Sequence, residues 1–182
     1  MKTITITVDG LTPLLMHNPA GMSSTAGPGL SAKGKDIPTP QAEAEAGTYR
    51  LPDGALALPS FAFRGALLSA AKGRKIGKNF ATALVKGSVF VTSELTPINH
   101  TDGSPLKEYE IDMRRAMIGK AGITRCRPKV DPWSAEVEFE VDEDFISDEH
   151  VHELMVIAGR TIGVGDFRPE KSGPFGRFTV RD

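Results

Sequence analysis

An α+β domain built on a split βαβ plan is the fold class this chain predicts, and three observations point to it. Strand-type alternation opens the chain, returns over residues 133–142 and closes it at Phe178-Thr179-Val180. Helix-type spacing of apolar residues follows Ser60 and again Ser147. The resulting order is strand, helix, strand, strand, helix, strand, which is the ferredoxin-like, RRM-like arrangement.

Each element has its own local reason. Ile4, Ile6 and Val8 alternate with Thr3, Thr5 and Thr7, a half-buried strand. From Asn18 to Gly47 the chain is mainly Gly, Ala, Ser, Pro and Thr without a period, which predicts a flexible insertion. Pro52-Asp53-Gly54 sits between Tyr49-Arg50-Leu51 and Ala55-Leu56-Ala57-Leu58 with the chemistry of a hairpin turn. Ser60 is placed to cap a helix carrying Phe61, Leu67, Leu68 and Ala71, and Asn79 to cap a short one that Gly87 ends. Ser88 to Thr92 reads as a buried strand, Ser93 to Leu106 as a loop, and Tyr109 to Met113 as a strand running towards Ile118. Gly119 to Gly122 marks a break before a basic extended segment from Ile123 to Val130. Trp133, Ala135, Val137, Phe139 and Val141 alternate with Ser134, Glu136, Glu138, Glu140 and Asp142, and Trp133 reads as core. Ser147 then caps a helix with Asp148 and Glu149 in its first turn, where the dipole favours acids.

The 182 residues, 40% hydrophobic and 25% charged, fit one soluble domain spanning 1–182, with insertions at about 18–48 and 93–106. No apolar run reaches the roughly 18 residues of a membrane span. A single cysteine, Cys126, excludes an internal disulfide and any multi-cysteine zinc site, and a cytoplasmic location is expected.

The formal net charge of −1 conceals segregation. Arg64, Lys72, Arg74, Lys75, Lys78 and Lys86 follow one another with no acid between them. So do Arg114, Arg115, Lys120, Arg125, Arg127 and Lys129, whereas residues 136–153 carry acids without Lys or Arg. Two basic segments on one face suit a polyanion, and an acidic segment suits the basic face of another copy. Arg114 and Arg115 diverge on a regular strand, while Arg125 and Arg127 share a side opposite Cys126.

The segment from Gly159 to Val180 concentrates further signals. Gly163, Gly165, Gly173 and Gly176 bracket Arg168, Lys171 and Arg177. Glycine tolerates positive φ, and a run of such positions can aim backbone N–H groups at a phosphate. Phe167 offers a ring on which a base stacks, and Phe175 reads as an anchor of the loop. The predicted nucleic-acid contacts are therefore Arg64, Lys72, Arg74, Lys75, Lys78, Arg114, Arg125, Arg127, Gly163, Gly165, Phe167, Arg168, Lys171, Gly173 and Arg177. Neither a catalytic residue nor a metal ligand nor a cofactor is expected; His150 and His152 diverge on their helix and match no zinc motif.

Three stretches resemble the RAMP superfamily, particularly the backbone subunits of CRISPR complexes that hold guide RNA. They are Leu11-Thr12-Pro13-Leu14-Leu15, then Leu58-Pro59-Ser60-Phe61-Ala62-Phe63-Arg64-Gly65-Ala66-Leu67, and Gly163-Val164-Gly165 with Gly173-Pro174-Phe175-Gly176-Arg177-Phe178. The resemblance covers about a third of the chain. It implies an RRM-like fold, single-stranded RNA as ligand in preference to DNA, and a head-to-tail homo-oligomer. The chain is short for such a subunit, and Asp166 to Glu170 enlarges the glycine-rich loop, which points to a stand-alone relative. The chain also resembles uncharacterised phage proteins. The expected function is non-catalytic binding of single-stranded nucleic acid along its backbone. One alternative is metal-independent RNA cleavage with His17 or His100 as general base. The other is a protein-interaction or assembly module, such as a phage inhibitor or structural subunit.

Overall fold

The computed structural model describes residues 1–21, 38–118 and 121–181. Its elements in chain order begin with β1 (Lys2–Gly10), β2 (Leu14–Leu15), α1 (Pro40–Ala46), β3 (Ala57–Pro59) and α2 (Ser60–Ala70). A small hairpin of β4 (Lys75–Ile76) and β5 (Asn79–Phe80) leads into α3 (Ala81–Ser88), β6 (Val89–Val91) and β7 (Leu95–Pro97). Then come β8 (Glu110–Ile118), β9 (Ala121–Val130), β10 (Ser134–Val141), α4 (Asp148–Thr161) and β11 (Phe178–Val180).

The central sheet has the order β11-β1-β10-β6, with every pairing antiparallel. The fourth, first, third and second strands of the βαββαβ unit thus lie side by side, and the fold is α+β and ferredoxin-like. Ile6, Val8, Val137, Phe139 and Val141 point to one face of the sheet, and α2 and α4 cover that face with Phe63, Leu67, Val151, Leu154, Met155 and Ala158. Each large side chain so buried contributes roughly 1.5–3 kcal/mol. Trp133, Phe63 and Phe178 meet edge to face at centroid distances of 6.5 and 6.3 Å, closing the core beneath the last strand. The period of two sends Thr3, Thr5, Glu136, Glu138 and Glu140 to the other face, where they are exposed.

A second layer is the hairpin of β8 and β9, paired from Glu110↔Lys129 to Ile118↔Ala121, with β2 added at the edge of β9. α1 packs against β9. This helix falls inside the predicted insertion, so part of that stretch is regular structure. Thr39 accepts a hydrogen bond from the Ala42 N–H and Pro40 opens the first turn, a start signal that the low hydrophobicity of Pro40–Ala46 concealed. Residues 22–37 of the insertion lie outside the described residues, as do Gly119 and Lys120 of the predicted break.

Four other local expectations are corrected. Ser60 is the first helical residue, not the cap; Pro59 occupies the cap, and the Ser60 hydroxyl pairs with Thr96 Oγ1 at 2.7 Å. Asn79 pairs across β4–β5 while Phe80 caps α3, because Gly77, with φ 59°, closes a turn just ahead of it. α3 runs through Gly87 to Ser88. The predicted loop from Ser93 to Leu106 contains β7, which pairs with β3 and brings Leu95 opposite Pro59.

Candidate nucleic-acid interface

The glycine-rich loop between α4 and β11 is stitched to the chain that follows β1. The Gly176 N–H donates to the Pro13 carbonyl at 2.8 Å, Asp166 N–H to Leu15 at 2.8 Å, and Arg177 N–H to Thr12 Oγ1 at 3.0 Å. The Val164 N–H donates to Gly176 at 2.9 Å and so closes the loop on itself. Gly176 has φ 68°, and a Cβ there would overlap the Val164 carbonyl, so both its conformation and its close approach require glycine. The expected cradle of amides is largely consumed by these bonds. Gly163 N–H goes to Ala158 at 2.9 Å and Gly173 N–H to Arg168 at 3.0 Å. These glycines let the loop pack.

A cleft of about 490 Å³ opens where this loop meets α2. Leu58, Pro59, Ala62, Gly65, Ala66 and Val164 line it with carbon, and His17, Tyr49, Ser69, Asp166, Arg168 and Glu170 supply polar groups. Phe61 stands at its edge, 63% exposed.

The charges around the cleft are tied in pairs. Arg127 Nε lies 2.7 Å from Asp166 Oδ2, close in distance but off the hydrogen-bond line. Arg168 grips Glu170 at 2.6 Å and donates to the Gly165 carbonyl at 3.1 Å. Glu170 also accepts from the Ser69 hydroxyl at 2.6 Å and stands 4.0 Å from Lys72 Nζ. The Ser69 hydrogen bond, then that of Arg168, holds the Glu170 carboxyl below the usual carboxylate range. Behind Arg127 on the same strand, Arg125 pairs with Glu43 of α1 at 3.1 Å. Burial pushes the His17 imidazole below its ordinary value, and its Nδ1 is buried without a hydrogen-bond partner. The Tyr49 hydroxyl donates to the His17 carbonyl at 3.2 Å and fixes that corner.

The predicted contacts separate into groups. Gly165 and Arg168 line the cleft, and Lys72 and Arg127 reach it through Glu170 and Asp166, whereas Arg125 is tied to Glu43 of α1 and Lys171 is exposed after Glu170. Arg114 joins from β8 by lying 4.6 Å over the Phe175 ring, which in turn meets Phe167 at 6.1 Å. Arg114 also pairs with Asp112 at 2.7 Å. Phe175 is buried, as an anchor should be, and Phe167 is 37% exposed. Arg177 donates to the Arg160 carbonyl at the end of α4. Four basic residues belong elsewhere. Arg64 donates to the Lys86 and Val89 carbonyls, where a cation complements the C-terminus of α3. Arg74 closes the end of α2 on Ala70, Lys75 lies over the Phe80 ring, and Lys78 borders a groove with Phe80 and Phe145.

The residues that sequence reasoning passed over are Tyr49, Gly65, Ser69, Asp166 and Glu170. Ala62, Gly65, Ala66 and Ser69 do recur at helical spacing, so a small-residue side of α2 was there to be read. Among the described residues no group of His, Cys, Asp or Glu is placed to hold a metal ion, and no helix is long and apolar enough to cross a membrane.

No family model matches the chain, and no curated protein matches it by sequence. Among solved structures it is similar to Cmr6 from Pyrococcus furiosus, at 13% identity and TM-score 0.48, over 99% of this chain and 98% of that one. It is also similar to Thermus thermophilus Cas6, at 12% identity and TM-score 0.33, over 97% of this chain and 53% of that one. A Cas6 product complex gives 13% identity and TM-score 0.30, over 97% and 50%. The chain spans about half the length of those two Cas6 chains. The ferredoxin-like assignment rests on the strand order and hydrogen bonds described above.

Proposed function

We propose that this protein binds single-stranded nucleic acid, RNA in preference to DNA, along its sugar-phosphate backbone and without cleaving it. The observation that carries the reading is the gathering of Lys72, Arg127 and Arg168, from three separate segments, around one cleft. Lys72 is 71% exposed and ready for a phosphate. The acids of β10 lie on the sheet face turned away from α2, so the protein attracts a polyanion on one side and repels it on the other. Copies then line up along the strand, the acidic face of one beside the basic flank of the next.

The test is fluorescence anisotropy with labelled single-stranded RNA, single-stranded DNA and duplex of equal length at two salt concentrations. Displacing about three counterions gives a slope of log affinity on log salt of roughly −2 for single strands. Affinity that ignores salt, or tightest binding to duplex, removes this reading.

One observation favours a second reading, metal-independent RNA cleavage. His17 lines the cleft where burial favours the neutral form of its ring, the form a general base needs, whereas His100 borders a different depression beside Tyr109 and Val130. RNA shortened in the presence of EDTA by the wild type, and left whole by His17→Ala, would establish it.

A further inference from the structure

We infer that the cleft is a slot for a single nucleobase, turned out of the strand whose backbone follows the basic rim. The inference rests on the nucleic-acid reading above and adds what the cleft itself recognises. A phosphate is a poor occupant. Of the lining groups, burial disfavours the charged form of His17, Asp166 is neutralised by Arg127, and Arg168 by Glu170. Among the described residues the cleft therefore offers no free cation of its own, while Lys72 and Lys171 stand outside its lining.

The lining instead matches a flat ring with polar edges. Leu58, Pro59, Ala62, Gly65, Ala66 and Val164 provide an apolar bed, and the side of α2 facing the cleft carries no side chain bulkier than Ser69 between Phe61 and the helix end. Around the bed stand acceptors on Asp166 and Glu170, donors on Arg168, and hydroxyls on Tyr49 and Ser69. His17 adds a buried Nδ1 with no partner, a polar atom that a small shift of its ring would offer to a ligand. Phe61, 63% exposed at the edge, gives the neighbouring base a ring to stack on. The volume of about 490 Å³ lies in the range of small-molecule sites.

Gly65 makes the idea testable without damage to the fold. A Cβ added there meets nothing within 4 Å, so a larger side chain projects into the open cleft. Gly65→Leu should raise the melting temperature slightly, since leucine is the better helix former, and should fill the slot. Anisotropy is measured with a short single-stranded RNA, with the same strand made fully abasic, and with both again on Gly65→Leu. The wild type should prefer the intact strand by about tenfold, as expected for loss of one to two stacked bases. Gly65→Leu should erase that preference and leave the salt slope and the affinity for the abasic strand unchanged. Equal binding of intact and abasic strands by the wild type, or a preference that survives Gly65→Leu, overturns the slot. Should no strand bind at all, the backbone reading fails, and NMR with a saturating free nucleoside decides the slot separately. Shifts at the amides of Ala62, Gly65 and Ser69 would support it, and their absence would overturn it.

Discussion

The open face of the central sheet and the cleft beside α2 are both rich in ionisable residues, yet they are built on opposite plans. On the sheet face, Glu136, Glu138 and Glu140 stand at every second position of one strand, opposite Thr7, Thr5 and Thr3 of its neighbour. Their like charge is set by strand geometry and accumulates into an anionic surface. At the cleft, Asp166 and Glu170 are each joined to an arginine, so the same residue type yields a locally neutral site. RRM domains read single-stranded RNA with aromatics on the sheet face. Here that face is anionic, and in the proposed reading the helix side takes its place. The comparison teaches that shared strand order does not fix which surface works.

The largest expected effect tests how the loop is held. Gly176→Ala places a side chain at φ 68° and against the Val164 carbonyl, and should cost about 2–4 kcal/mol in urea unfolding. Gly65→Ala, in the same cleft wall but with open space above it, should stabilise by up to about 1 kcal/mol. Equal effects at the two glycines would show that the loop is not the rigid element described.

Next comes the pairing of charges. Arg127→Ala leaves Asp166 without its cation in a partly buried setting, so stability should fall by about 1–3 kcal/mol. RNA affinity at low salt should fall several-fold, because Asp166 is left as an uncompensated negative charge beside the strand. Asp166→Asn works in the other direction, freeing Arg127, and should tighten binding at low salt. Tightening by Arg127→Ala would reverse the roles assigned to the pair.

A smaller effect concerns His17. Burial lowers its folded value below the ordinary 6.5, so on acidification the unfolded chain takes up a proton before the folded chain does. Stability is complete above the unfolded value and declines as the pH falls through the folded one. His17→Asn should flatten that decline when urea midpoints are compared between pH 7.5 and pH 5. An unchanged pH profile would mean that the ring is not buried as described.

How far the sequence discloses this molecule depends on the range of the interactions. β1, β10 and α4 were legible because alternation and a Ser147 cap are local signals, and their order yields the ferredoxin-like plan. Arg125 and Arg127 on one side of β9, with Cys126 buried opposite, follow from the same period of two. The cleft was only half legible. Its basic residues are visible as composition, but which carboxylate each one meets depends on contacts such as Arg127 to Asp166, which are remote in sequence. The pairing of Arg64 with the end of α3 illustrates the same limit, since a helix-start arginine was drawn away from the cleft by carbonyls 22 and 25 residues on.

The smallest effect comes from the sheet face, and its smallness is informative. Replacing Glu136, Glu138 and Glu140 together by glutamine keeps their size and strand geometry while removing three exposed negative charges. Each change should alter stability by no more than about 0.5 kcal/mol, because exposed side chains on a regular strand have little to lose. Their field acts on a strand seated on the helix side only through distances at which salt screens it, with a Debye length of about 10 Å at 0.1 M. On a strand too short for two copies, RNA affinity at that ionic strength should therefore rise less than twofold. A tenfold rise would mean that the acids had been repelling a ligand at close range. The sheet face, and not the cleft, would then be the surface over which the strand runs.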